Sequence, residues 1–152
     1  MARIQFSLPD RFAFSTDVQI YISHVNQGGH LDNALLLTLV SEARVRFFRW
    51  LGYSGEFDIE GLSIVVADMM AQYKSEGFYG ETIQIDMVPD DFNKYGFDLV
   101  FRLSEKTSGR EVARGKSGVV FVSGTPKKAT PMPAGFLANL KAHGVDTPVT
   151  PA

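Results

Sequence analysis

The sequence predicts an α+β fold in which a five-stranded antiparallel sheet wraps round one long central helix. Two observations carry that prediction. The segment Asn33 to Leu51 repeats large apolar residues at helical spacing with no proline or glycine to interrupt it. The four segments with strand alternation that follow it are joined by connections too short for any pairing except antiparallel. A chain of 152 residues, 45% hydrophobic and 21% charged, has the size and composition of one domain over 1–152. Its core is expected at about 12–123, with a C-terminal tail over 124–152.

The first strand runs from Phe12 to Ile22, because Val18, Ile20 and Ile22 alternate with Gln19 and Tyr21. Gly28-Gly29-His30-Leu31-Asp32-Asn33 then turns the chain into the helix, which at 1.5 Å per residue spans roughly 28 Å. Thr38, Glu42, Arg46 and Arg49 share a narrow polar stripe, while Leu36, Leu39, Val40, Ala43, Phe47, Trp50 and Leu51 fill a wide apolar arc. Such a helix is expected to be nearly swallowed by the core. Gly52 stands where a C-terminal cap is expected, and Tyr53 to Gly61 reads as a loop with a short helical turn.

Leu62 to Tyr73 is the next strand, and Gly77 to Gly80 breaks it before the strand Glu81 to Val88. Pro89 to Asn93 forms a hairpin turn. Phe97 to Ser104 alternates again, and Thr107-Ser108-Gly109 leads into the last strand, Glu111 to Val122. Pro126, Pro131 and Pro133 precede a short helix, Gly135 to His143, and a Pro/Thr end expected to fray.

A formal net charge of −2 gives no electrostatic footprint for nucleic acid or an anionic membrane surface, so neither partner is expected. The chain has no cysteine, which removes thiolate nucleophiles and thiolate metal sites. No signal segment or membrane span is read from it, and a cytoplasmic location is the expectation. Gly109 to Ser117 resembles a phosphate-binding loop but carries one residue too many between its glycines and lies in a strand. The histidines, His24, His30 and His143, have no zinc-motif spacing, and no Gly-x-Ser-x-Gly elbow exists. No metal is expected.

Asp32 precedes the helix and has two readings: a cap for the first free amides, or a carboxylate placed to activate water beside them. His30 is a packed turn residue or a site residue. Glu42 is an ion-pair partner for Arg46 one turn on, or a second acid at the site. Arg44 falls on the apolar arc, where it needs a partner.

The order of strand, Gly29-His30-Leu31-Asp32-Asn33-Ala34, a helix carrying Ser41-Glu42-Ala43-Arg44, and four strands resembles the hotdog-fold acyl-CoA thioesterases of the 4-hydroxybenzoyl-CoA thioesterase type. Gly29, His30, Asn33, Glu42, Ala43 and Arg44 match that family's short motifs, and Tyr79-Gly80-Glu81 matches a turn ahead of its next strand. The resemblance implies hydrolysis of an acyl- or aryl-CoA thioester, with the carbonyl oxygen against the amide of Asn33 and Gly29 allowing close approach. CoA would be part of the substrate, with no separate cofactor. It also implies a homodimer or homotetramer, with Lys94, Arg110, Arg114 and Lys116 either solvated hairpin charge or candidates for CoA phosphates.

One departure stands out: the family's usual catalytic aspartate is Asn26 here, and an amide accepts no proton at neutral pH. The proton acceptor is then expected at Asp32 first and Glu42 second, with Asn26 and His30 orienting water. The alternatives are a non-catalytic acyl-CoA-binding protein and a hotdog enoyl-CoA hydratase.

Overall fold

The structure, a computed structural model, describes residues 1–148. In chain order it contains β1 (Phe14–Gln19), α1 (Leu36–Trp50), β2 (Ser63–Tyr73), β3 (Thr82–Asp90), β4 (Gly96–Glu105), β5 (Glu111–Ser123), β6 (Lys128–Ala129) and α2 (Ala134–Ala142). A single 3-10 turn, Ile22–His24, lies between β1 and α1. All pairings are antiparallel in the order β1-β3-β4-β5-β2, and two-residue β6 pairs with the end of β5. The sheet wraps the helix in the hotdog arrangement, with a sixth strand too short to announce itself in the sequence.

Alternation sets which side chains meet the helix. Ile83, Ile85 and Met87 of β3, Leu99, Phe101 and Leu103 of β4, and Val119 and Phe121 of β5 are buried in one core with Leu36, Leu39, Val40, Ala43, Phe47 and Phe48 of α1. Each fully buried phenylalanine contributes roughly 1.5–3 kcal/mol of transfer free energy. Arg44 is tolerated on this apolar arc because its Nε donates to Glu56 Oε1 at 2.7 Å. The helix is less enclosed than its apolar arc implied, since Thr38, Glu42 and Arg49 stay exposed and Trp50 is half-buried.

Regular helix starts at Leu36 rather than Asn33, because Leu37 and Thr38 donate to Ala34 and Leu35 in a tighter leading turn. At the other end Gly52 adopts φ 101° and donates to Arg49, while Tyr53 donates to Phe48. These paired bonds terminate the helix as the glycine predicted. The loop after it holds no helical turn; Ile59 and Leu62 instead bond reciprocally across Glu60 and Gly61, both at positive φ. The β3–β4 turn is also shorter than expected, because Pro89 and Asp90 still pair in the sheet.

The core extends past residue 123. Phe136 of α2 is fully buried among Phe48, Phe97 and Phe121, and Asn139 Nδ2 donates at 2.8 Å to the carbonyl of Leu51 at the end of α1. The N-terminal arm crosses the sheet's other face, where the Phe6 backbone bonds Gln72 and Arg114, and Phe12 lies under the Arg102 guanidinium. The expected fraying of the Pro/Thr end concerns chiefly 149–152, outside the described residues.

Candidate active site

Two segments distant in sequence meet at the start of α1. The first is the loop from Asn26 to Asn33. Asn26 closes it on itself: its Oδ1 accepts from Gly28 N at 2.9 Å, its carbonyl from Gly29 N, and its amide donates to the His30 carbonyl. Gly29 holds φ 81° and has no atom within 4 Å of where a Cβ would stand, so the loop is open on that side. Asp32 Oδ1 accepts from the amides of Ala34 at 2.8 Å and Leu35 at 3.1 Å. The amide of Asn33 bonds no acceptor among the described residues.

The second segment is Tyr73 to Gly77, where β2 ends. Tyr73 Oη donates to the Asn33 carbonyl at 2.6 Å, and the Gly77 carbonyl accepts from Leu31 N at 2.7 Å. Glu76 Oε1 stands 3.7 Å from His30 Nε2. Burial, and then the negative charge of Asp32, push the Tyr73 phenol above its ordinary value. The sequence reading missed Tyr73 and Glu76 as site residues. A signal was present in Gly77, which is packed so closely that a Cβ would lie 2.9 Å from Ile20 Cδ1 and 3.3 Å from Leu31 Cβ.

The structure thus gathers Asn26, Gly29, His30, Asp32 and Asn33 in one braced loop, but Glu42 stands elsewhere. It lines a groove of about 570 Å³ between α1 and β1, with Tyr21, His24, Thr38, Arg46 and Thr82. There its carboxylate lies 3.4 Å from Arg46. Three of the four cations expected at CoA phosphates are already engaged: Arg110 with Glu81, Arg114 with Glu111, and Lys116 with both Asp68 and Asp98. Lys94 sits over the ring of Tyr95. Among the described residues no group of three or more His, Asp or Glu side chains could hold a metal, and no helix is long and apolar enough to cross a membrane.

A long helix that opens from a glycine-rich loop and is wrapped by an antiparallel sheet in the order β1-β3-β4-β5-β2 is the hotdog fold. The model of the Thioesterase-like superfamily matches residues 20–140, and the chain belongs to that family. No curated protein matches the sequence. Among solved structures, the fold is similar to Slr0204, a 1,4-dihydroxy-2-naphthoyl-CoA thioesterase from Synechocystis, at TM-score 0.76 and 15% identity over 84% of this chain and 95% of that one. It is also similar to a thioesterase complexed with coenzyme A and Zn from Thermus thermophilus, at TM-score 0.73 and 20% identity over 89% and 97%. A thioesterase superfamily protein from Jannaschia sp. CCS1 superposes at TM-score 0.77 with 17% identity over 90% and 87%.

Proposed function

We propose that the protein hydrolyses the thioester of an acyl- or aryl-CoA at the loop that opens α1. The observation that carries this reading is the Asn33 amide, left without an acceptor at the positive end of a 15-residue helix in a member of a thioesterase family. An amide held there stabilises charge as it develops on the thioester oxygen, and it needs no reorganisation to do so. The braced backbone from Leu31 to Asn33 fixes its direction. Gly29 leaves the approach to that amide clear.

Water activation requires a carboxylate near the loop, and the two read from the sequence differ in what surrounds them. Asp32 has the right place, with one oxygen committed to two amides. Glu42 belongs to the groove beside β1. We further propose that the working unit is a homodimer or homotetramer joined through the free edge of β2, because β2 ends at the site. A panel of short, long and aromatic acyl-CoA substrates assayed for free thiol tests the reading. Repeated turnover on at least one of them is expected; tight binding with no thiol release from any would make the protein an acyl-CoA binder instead.

A further inference from the structure

Glu76 is a carboxylate at the loop with no task in the reaction so far. We propose that Glu76, facing His30, is the proton acceptor for the attacking water, an inference that rests on the thioesterase reading. His30 Nδ1 lies 3.3 Å from the Leu31 carbonyl, which can only accept, so the ring proton is assigned to Nδ1. In that neutral tautomer Nε2 carries the lone pair, and it stands 3.7 Å from Glu76 Oε1. Two facing acceptors are best joined by a molecule that donates to both. A water donating one hydrogen to each keeps its own lone pairs turned outward, which is the orientation a nucleophile needs.

The space beside His30 is kept clear by a specific residue. A Cβ at Gly28 would lie 3.0 Å from His30 Nε2 and 3.2 Å from Asn26 Oδ1, tighter than ordinary contact. Glycine therefore leaves Nε2 accessible. Asn26 Oδ1 is already taken by Gly28 N, so its amide hydrogens are the part of that side chain able to orient the water or the carbonyl.

Glu76 is also the least committed of the carboxylates that border the loop. Arg110 donates to the Glu76 backbone carbonyl at 3.0 Å but turns its guanidinium to Glu81, at 2.8 and 3.0 Å. No lysine or arginine pairs with the Glu76 carboxylate among the described residues, whereas Asp32 caps a helix and Glu42 pairs with Arg46. Its side chain is 59% exposed, so substrate and water can reach it. In the reaction the water oxygen bonds to the thioester carbon as one of its protons passes to Glu76, and the carbonyl electron pair moves to the oxygen held by the Asn33 amide. When that pair returns, the carbon–sulfur bond breaks. Sulfur leaves as CoA thiolate and takes the proton back from Glu76, and the acyl group departs as a free acid.

The test begins with a substrate that the unmodified protein hydrolyses. Glu76→Gln should lower kcat about 100-fold or more, the scale of losing a general base, with KM held within about twofold and the melting temperature unchanged. Glu76→Ala should regain part of its rate when formate is added, which a structural role would not produce. Gly28→Ala, with a methyl group crowding His30 Nε2, should lower kcat as well. Full turnover by Glu76→Gln, or no response of Glu76→Ala to formate, overturns the assignment and leaves the thioesterase reading in place. No hydrolysis by the unmodified protein overturns both.

Discussion

The Tyr73 hydroxyl donates a 2.6 Å hydrogen bond to the carbonyl of Asn33, a contact made across 40 residues of sequence. It ties the end of β2 to the peptide that follows the Asn33 amide at the start of α1, so a side chain from the sheet braces the loop at the site. Tyr73→Phe removes this bond and little else. It should cost about 1 kcal/mol of stability and lower kcat more than it raises KM, because the lost alignment matters most where charge develops on the substrate. Steady-state kinetics alongside a denaturant titration would show the split; an equal loss in KM alone would assign Tyr73 to substrate binding.

The same phenol predicts a limit in alkali. Burial and the nearby Asp32 charge raise its folded value, so the unfolded chain loses this proton first and stability falls as pH rises through the alkaline range. Below about pH 10, the ordinary value for tyrosine, the contribution is complete. Alkaline melting curves should be flatter for Tyr73→Phe than for the unmodified protein.

Asp32 separates capping from chemistry by substitution. Asparagine also accepts amide hydrogen bonds, so Asp32→Asn should change stability by only a few tenths of a kcal/mol, while Asp32→Ala frees the Ala34 and Leu35 amides and should cost about 1 kcal/mol. Chemical denaturation of both variants checks this. If Asp32→Asn loses turnover about 100-fold at unchanged stability while Glu76→Gln does not, the role of proton acceptor returns to Asp32.

Much of this architecture was legible because periodicity is a local property. The helix from Asn33 to Leu51 and the strands after it were placed within a few residues, and Gly52 marked the helix end through a positive φ that few other residues adopt readily. What sequence did not show depends on contacts between distant segments. Tyr73 read as the end of a strand and Glu76 belonged to no motif, and only folding sets them against Asn33 and His30. Glu42 followed the opposite course: it shares a helix with the site, but its helical phase turns it to the groove beside β1. The ion pairs of the cations considered for CoA phosphates were hidden for the same reason, since Lys116 pairs with Asp68 and Asp98 from two neighbouring strands.

Glu105 gives a prediction in acid. It ends β4, and its carboxylate accepts from the Ser108 hydroxyl and amide at 2.6 Å and from the Thr107 amide at 3.1 Å. These donors, Ser108 foremost, hold its pKa down from 4.5 to about 2. A depressed folded value means that the contribution is present above the unfolded value and is lost as pH falls from about 4.5 towards 2. Glu105→Gln should therefore lower the melting temperature at pH 7 and show a shallower decline between pH 5 and about 2. Parallel acid melting curves for the two proteins would remove Glu105 as the anchor of the β4–β5 turn.

Assembly follows from the two ends of the sheet. β1 is a short edge of six residues, whereas β2 runs for 11 residues and pairs with β5 on one side only. Apart from Ile64 N, which donates to the Glu56 carbonyl, its other side carries amides and carbonyls with no backbone partner among the described residues, flanked by the half-buried apolar side chains of Val65, Val66, Met69 and Met70. A long edge of that character is a template for another strand, and a second copy related by a two-fold axis supplies an antiparallel one. Pairing there would also bring the partner close to Tyr73–Gly77 and the α1 loop, since those residues continue directly from β2. Light scattering should give two or four times the 16.8 kDa chain mass. Ala67, exposed where the β2–β5 register shifts, is the position for a break: Ala67→Lys puts like charges on facing edges and should shift the mass towards that of a single chain. A single-chain mass for the unmodified protein at assay concentration would rule out the β2 junction as part of the working site.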